Sequence, residues 1–303
     1  MSRPKIAKPQ LVTIVGGGIA SACAAWSLSQ KGVRVQLLCK DEALAQEASS
    51  NPIGAIYPLI HQTPDIISQF FSKAFFHARS YYDDLAAKGF EFDHQWCGLV
   101  EVAHNESVLK RQEKFDAINS WPEELVKFLS AEEINRLASI EINKPGLFFE
   151  KAGWASPAQL VKQLIKAAIE TGNCKVRLNT EVKSIEKTEE SRWKITTNKG
   201  QLNTQVLVIC GGADSHQISG LPQVNTYPVQ GQVSVMAETT LSQNLSTVLC
   251  HKGYVTPANE GKHCIGATFK KMVNDKIVSE EDNQFNLEQL HKGLPGSFDW
   301  LPK

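Results

Sequence analysis

The glycine triplet at residues 16–18 constrains the fold of this 303-residue chain more than any other feature of its sequence. It follows a short apolar, β-branched run at residues 11–15. Small and apolar residues at helical spacing come next, at 19–30, and a second apolar run occupies 33–39. This succession of strand, glycine turn, helix and strand predicts the βαβ start of an α/β fold.

The turn itself has the pattern of a dinucleotide-binding motif. In such a motif the first glycine permits the tight turn, and a later glycine lets the backbone approach a pyrophosphate. The start of the helix adds free N–H groups and a partial positive charge. A plain glycine turn in an α/β protein is the alternative interpretation. The predicted cofactor-binding residues here are Gly16, Gly17, Gly18, Ile19, Ala20 and Ser21.

Two positions depart from the usual dinucleotide motif. Ser21 stands where a third glycine is common, and Cys39 stands where an acidic residue usually binds a ribose. Asp41 or Glu42 are candidates to reach the ribose instead. Both departures weaken an NAD interpretation more than an FAD interpretation, because FAD is also held by other segments along its length.

A loop after the second strand is the best candidate for such a segment. Residues 47–55 combine hydroxyl groups, an amide and small residues, which can donate hydrogen bonds to phosphates and pack under a planar ring. An ordinary surface loop is the alternative interpretation. The position of residues 47–55 after the glycine turn favours a cofactor-binding loop instead. The predicted binding residues are Ala48, Ser49, Asn51, Gly54 and Ala55.

The rest of the chain alternates between helical and strand-rich stretches. Amphipathic spacing predicts a long helix over 64–88, and residues 105–137 are charged and helical. Ser156 and Pro157 predict the start of another helix. Most of the sequence from 175 to 266 favours strands, with Gly211 and Gly212 as punctuation. This order indicates two interleaved domains rather than two in tandem.

Composition excludes few functions. The 32 basic and 32 acidic residues give a formal net charge of +0, so no global charge marks a nucleic-acid or membrane binder. The seven cysteines are scattered singly, which indicates reduced thiols and a reducing compartment, here the cytoplasm. The eight histidines show no metal-ligand spacing, so no metal is expected. Carboxylate runs such as 280–282 are predicted to be solvated helix faces.

Several longer segments resemble a known family. They are 16–21, 39–43, 48–59, 92–98, 153–157, 227–232 and 264–269. Together they resemble the glycine oxidase and D-amino-acid oxidase superfamily of flavoproteins, and within it the C-terminal FAD-dependent oxidoreductase domain of the MnmC family of bifunctional tRNA-modification enzymes. Ser21 and Cys39 agree with that family.

The resemblance implies a fold and a division of the chain. The fold is α/β, with a Rossmann-like FAD-binding domain interleaved with an α+β substrate domain built on a mostly antiparallel sheet. Residues 1–10 are expected to be a linker. The FAD-binding domain is expected to comprise 11–88, 150–219 and 258–303, and the substrate domain 89–149 and 220–257.

The resemblance also implies further site residues. Cys39 and Lys40 would lie beside the cofactor, Val182 would meet the adenine through its backbone, and Gly211 and Gly212 would lie close to the flavin. Tyr57 and Tyr254 would face the substrate. Gln230 stands where an arginine is commoner in the superfamily. No catalytic acid or base is expected.

The implied reaction is FAD-dependent oxidation of a CH–NH bond. It would remove the carboxymethyl group from 5-carboxymethylaminomethyl-(2-thio)uridine at the tRNA wobble position, giving the aminomethyl-uridine. The implied partners are tRNA and a fused methyltransferase domain, with no membrane. In the family the fold continues beyond the segment matching 293–300, so this chain is expected to be truncated, to bind FAD poorly and to be inactive alone.

Three other functions stay open from the sequence. A stand-alone oxidase of small amines such as glycine or sarcosine would share every cofactor motif. A non-catalytic remnant that binds tRNA or a partner enzyme belongs to a different class. An NAD dehydrogenase is the third alternative. Cys39 and the loop at 49–55 disfavour it, because both fit FAD better than NAD.

Overall fold

The computed structural model describes residues 10–190, 192–223, 226–273 and 277–296. Most of the predicted linker at 1–10 therefore lies outside the described residues. The helices are α1 (Ile19–Ser29), α2 (Ile66–Ala87), α3 (Glu106–Ile118), α4 (Ala131–Ala138), α5 (Pro157–Glu170) and α6 (Glu280–Gly293). The strands are β1 (Leu11–Val15), β2 (Arg34–Leu38), β3 (Gly54–Ile56), β4 (His94–Gln95), β5 (Leu99–Val102), β6 (Lys127–Leu129), β7 (Gly146–Phe149), β8 (Gly153–Ala155), β9 (Cys174–Arg177), β10 (Val182–Lys187), β11 (Trp193–Thr197), β12 (Gly200–Thr204), β13 (Val206–Ile209), β14 (Val229–Gln230), β15 (Val233–Ala237), β16 (Val248–Cys250), β17 (Tyr254–Val255), β18 (Lys262–Gly266) and β19 (Lys270–Lys271).

Among the described residues, the chain forms two compact units that alternate along the sequence. The first unit takes 10–52, 90–92 and 157–228, and the second takes 53–89, 93–156 and 229–296. Contacts therefore group 53–88, 150–156 and the described part of 258–303 with the second unit, unlike the division expected from the sequence. Which segments bind the cofactor and which bind the substrate stays a prediction.

The first unit is built on a four-stranded parallel sheet in the order β13-β1-β2-β9. Its central strands are apolar because both faces of a parallel sheet are covered, and Ile14 and Leu37 are fully buried. The predicted βαβ unit is confirmed, with Ile14 paired to Leu37 in parallel register. Helices α1 and α5 pack against each other.

A three-stranded antiparallel sheet, β10-β11-β12, completes the first unit. Within the stretch where the sequence favours strands, two successive strands belong to different sheets: β12 pairs antiparallel with β11, whereas β13 pairs parallel with β1. The break falls at Gln205, whose side-chain Oε1 accepts hydrogen bonds from the amides of Gln10 and Leu11. Both halves are extended, so local pattern alone does not reveal the change of sheet.

The second unit is built on a seven-stranded sheet in the order β15-β18-β17-β16-β5-β7-β6. Its strands are antiparallel except for the parallel pair β16 and β5, which confirms the expected mostly antiparallel sheet. Side chains alternate between its faces. Val100 and Val102 therefore join one buried cluster, and Leu99 joins another with Phe149.

The charged segment at 105–137 is not continuously helical, contrary to the prediction. Helix α3 begins after Asn105, whose side chain accepts a hydrogen bond from the amide of Val108. Helix α4 begins at a capping box formed by Ser130 and Glu133. Strand β6 lies between the two helices and pairs with β7, so tertiary pairing overrides the local preference for helix.

Residues 280–282 are not all solvated, which corrects another expectation. Asp282 lies in the first turn of α6, is only 2% exposed and pairs with Lys270 at 2.7 Å. The same helix is held to β15 by buried amides: Asn286 Nδ2 donates to the carbonyl of Gln232 at 2.9 Å and to Ser234 Oγ at 3.1 Å. Charge runs in a sequence do not show such pairing.

We expect His251 to make the second unit sensitive to acid. Burial, and to a lesser extent His104, lowers the pKa of His251 to about 4 from its ordinary 6.5. Between those pH values the unfolded chain binds more protons at this residue. Its contribution to stability, up to about 3 kcal/mol, is therefore present above pH 6.5 and lost as the pH falls towards 4.

Urea unfolding of the wild type and of His251→Gln at neutral pH and near pH 4.5 measures this contribution. The variant should lose less stability on acidification than the wild type. Burial also lowers the pKa values of His104, His263 and His291, so part of the acid sensitivity should remain. Equal losses in the two proteins would contradict the assignment to His251.

Two further features of the described residues concern helix length and the cysteines. None of their helices has both the length and the apolar character needed to cross a membrane. All seven cysteines are free thiols, which agrees with the prediction that they are unpaired. Burial raises the pKa values of Cys97 and Cys174 to about 11, so both thiols are protonated at neutral pH.

Candidate dinucleotide-binding site

The first glycine of the triplet makes the turn from β1 to α1. The amide of Gly16 donates to the carbonyl of Leu38 at 2.9 Å, which ties the turn to the end of β2. Its φ of +132° suits glycine alone, and a Cβ there would lie 2.2 Å from the carbonyl oxygen of Cys210. Position 16 therefore accepts no side chain.

The second glycine, Gly17, packs against Cys39, the residue that follows β2. A Cβ at Gly17 would lie 2.5 Å from Cys39 Sγ, so the thiol packs directly against the turn. Cys39 is 1% exposed, and burial raises its pKa. The carbonyl of Gly17 also accepts a hydrogen bond from the amide of Ala45 at 2.9 Å. Cys39 is thus a neutral packing residue in the place of the usual acid.

The third glycine, Gly18, lies at the N-terminus of α1. A helix leaves its first N–H groups without partners inside the helix, and Ser49 Oγ accepts from the amide of Ile19 at 3.0 Å. A Cβ at Gly18 would also lie 3.0 Å from Ser49 Oγ. Ser21 Oγ donates to the carbonyl of Gly18 at 2.6 Å, so the departure from the third glycine is accommodated by a local hydrogen bond.

Other predicted cofactor residues converge on the same turn. Val182 is buried in a cluster with Val15 and Leu38, which end β1 and β2. The amide of Cys210 donates to the carbonyl of Val15 at 2.7 Å and leads into Gly211 and Gly212. The latter glycine has φ of +57° and opens a short 3-10 turn over 212–217. Ala48 and Asn51 flank Ser49 in and after the 3-10 turn at 48–50.

Two carboxylates that the sequence did not point to, Glu47 and Asp214, contact the predicted residue Lys40 beside this turn. Lys40 follows β2, and its ammonium contacts the carboxylate of Asp214 and lies 2.9 Å from Glu47 Oε1. Glu47 precedes the 48–50 turn, and Asp214 lies in the 212–217 turn. No spacing in the sequence joins positions separated by 174 residues, so only the fold reveals the cluster.

The remaining predicted residues belong to the second unit. Gly54 and Ala55 lie in β3, which pairs with β8, and are not part of a loop as the sequence suggested. Tyr254 is partly buried, and its hydroxyl contacts the carbonyl of Ile53 at 3.4 Å. Tyr57 is half exposed and meets the ring of Phe149 edge-on at 6.0 Å. Tyr57 thus presents more surface to a ligand than Tyr254 does.

The glycine turn fits the diphosphate of a dinucleotide. Side chains at Gly16 or Gly17 would clash with neighbouring atoms, so the turn consists of backbone alone. The first turn of α1 carries no acidic residue that would repel an anion. The partial positive charge of a helix start favours a phosphate there. Together with the parallel sheet, these features define a protein with a Rossmann-like dinucleotide-binding site.

Residues 12–302 match the family model described as FAD dependent oxidoreductase. The chain belongs to this family, and FAD is its cofactor. Among the described residues, no group of three or more histidine, cysteine, aspartate or glutamate side chains is arranged to hold a metal ion.

Two curated relatives are tRNA 5-methylaminomethyl-2-thiouridine biosynthesis bifunctional proteins MnmC. The protein from Pseudoalteromonas translucida is 36% identical over 280 residues, which is 92% of this chain and 42% of that protein. The protein from Aliivibrio fischeri is 35% identical over 289 residues, 94% of this chain and 42% of that protein. The chain thus spans about two fifths of the length of these relatives, and the resemblance found from the motifs is confirmed.

Solved structures show the same fold. Glycine oxidase from Bacillus cereus superposes with a TM-score of 0.80 at 24% identity, over 96% of this chain and 80% of that chain. Iminodiacetate oxidase from Chelativorans sp. BNC1 gives 0.76 at 20% identity, over 96% and 81%. The predicted fold class, with a Rossmann-like FAD-binding part, is confirmed.

Proposed function

We propose that this chain contributes the FAD-dependent step of tRNA wobble-uridine modification. The step oxidises the CH–NH bond of 5-carboxymethylaminomethyl-(2-thio)uridine and leaves the aminomethyl-uridine. The observation that carries the proposal is the 36% identity to MnmC over 92% of the chain. The glycine turn that fits a diphosphate supports it independently, because FAD requires such a site.

The chain's own residues would bind and orient the cofactor. Amides at the start of α1 would hold the diphosphate, and the Ser49 hydroxyl would lie beside it. FAD, when bound, would supply the oxidising power to remove a hydride from the carbon next to the amine. Hydrolysis of the resulting substrate imine by water would release the two-carbon fragment as glyoxylate. We assign these residues to the cofactor: Gly16, Gly17, Gly18, Ile19, Ala20, Ser21, Cys39, Lys40, Ala48, Ser49, Asn51, Gly54, Ala55, Val182, Gly211 and Gly212.

The substrate side is assigned to the second unit, with Tyr57 as the better exposed of the two candidate tyrosines. The neighbouring Cys250 contributes most to raising the pKa of Tyr57 to about 12, and partial burial and Glu101 add to the effect. Its phenol is therefore neutral at pH 7 and can donate a hydrogen bond to a substrate. The partners proposed for the complete enzyme are tRNA and a methyltransferase domain, in keeping with the bifunctional relatives.

The test uses protein expressed from its complete reading frame and an anticodon stem-loop RNA that carries 5-carboxymethylaminomethyl-uridine. We expect loss of the carboxymethyl group by mass spectrometry and equimolar release of glyoxylate. An RNA with unmodified uridine is the control. A flavin-loaded protein that leaves the modified RNA unchanged would contradict the proposal.

The same assay separates the alternatives. Peroxide release from glycine or sarcosine, without reaction on RNA, would indicate a small-amine oxidase. RNA binding without flavin binding would indicate a non-catalytic remnant.

A further inference from the structure

Lys40, assigned above to the cofactor, also forms a charge cluster at the glycine turn with Glu47 and Asp214, whose carboxylates have no role in the proposed reaction. Its three members come from three separate segments: the end of β2, the approach to the 48–50 turn, and the 212–217 turn after β13. The ammonium of Lys40 contacts both carboxylates. One side chain therefore links the segments that surround the start of α1.

The Lys40 ammonium is charged at neutral pH. Partial burial lowers the pKa of Lys40, but hydrogen bonds to Asp214 and Glu47 outweigh that effect and raise it above its ordinary value. Isolated surface ion pairs contribute little to stability, whereas one cation shared by two carboxylates forms a network. Asp214 is the least exposed member, at 21%, so the network is partly shielded from solvent.

Each carboxylate belongs to a segment that contacts the glycine turn: Ser49 bonds to the amide of Ile19, and Cys210, which precedes the 212–217 turn, lies against Gly16. Glu47 is two residues before Ser49, whose Oγ accepts from the amide of Ile19. Asp214 is two residues after Gly212, which has positive φ. Holding both carboxylates therefore limits the motion of the Ser49 segment and of the 212–217 turn. Such preorganisation lowers the entropy cost of binding a ligand.

We propose that Lys40 is a positioning residue for the adenosine diphosphate half of FAD. Its ion pairs hold the segment 47–51 and the turn 212–217 against the N-terminus of α1. The end of β2 is where doubly wound folds place the adenosine ribose, so the effect falls on the half of FAD that FMN lacks. The proposal rests on FAD binding at the glycine turn.

The binding test compares Lys40→Met with the wild type, both expressed from the complete reading frame. Fluorescence titration should show Kd for FAD and for ADP raised about tenfold at low salt, with Kd for FMN changed less than about twofold. Near 0.5 M NaCl the wild type should approach the variant, because salt screens exposed ion pairs. Lys40→Arg should bind FAD like the wild type. The matched control is Lys175→Met, an exposed lysine on β9.

A second measurement does not depend on cofactor binding. Amide hydrogen exchange without FAD should be faster in Lys40→Met over 47–51 and 212–217, and unchanged in Lys175→Met. If the wild type binds no FAD, the proposed cofactor assignment fails. The exchange data alone then show whether the ion pairs of Lys40 hold the two segments in place. Unchanged exchange in both segments, or equal weakening of FAD and FMN, would overturn the proposal.

Discussion

Gly16→Ala should destabilise the first unit by about 3 to 5 kcal/mol and abolish FAD binding. The added methyl carbon would lie 2.2 Å from the carbonyl oxygen of Cys210, at a φ of +132° that L-residues rarely adopt. The backbone of β1 or β13 would have to move, and their pairing would be lost with the turn. Urea unfolding gives the stability, and flavin titration gives the binding.

Gly172→Ala is the matched control for this substitution. Gly172 also has positive φ, at +75°, but a Cβ there would meet nothing within 4 Å. Its cost should be limited to backbone strain, about 1 kcal/mol, with FAD binding retained. Similar losses in the two variants would show that the close approach to Cys210 does not matter.

Phe149→Ala should destabilise the second unit by about 3 to 5 kcal/mol. Phe149 is 1% exposed and lies in a buried cluster with Leu99 and Trp154. Its ring also supports that of Tyr57, so the substitution removes packing from one candidate substrate residue. Thermal or urea unfolding of the purified variant measures the loss.

Phe269→Ala is the control for Phe149→Ala. Phe269 is 68% exposed, and the same substitution should change stability by less than about 0.5 kcal/mol. A Phe149 variant as stable as the Phe269 variant would mean that the described core of the second unit is wrong.

Local sequence pattern was sufficient for the cofactor turn. Strand β1, the glycine triplet, α1 and β2 follow one another within 30 residues, and each is set by apolar spacing or by glycine geometry. The family resemblance extended this to the fold class, whereas the role of Val182 at the adenine stays a prediction.

Features that depend on distant partners were not predictable in the same way. Strand β6 exists because it pairs with β7, and Asp282 is buried because Lys270 reaches it. The division at Gln205 reflects pairing with two different sheets. Lys40 was expected beside the cofactor, but its carboxylate partners lie 7 and 174 residues away along the chain. In each case the deciding contact is remote in sequence.

A crystal structure of the FAD complex tests the central claim most directly. We expect the diphosphate oxygens within about 3.2 Å of backbone nitrogens among residues 17–21, in the distance range of N–H hydrogen bonds. A flavin nucleotide bound with its diphosphate away from the start of α1 would contradict the account.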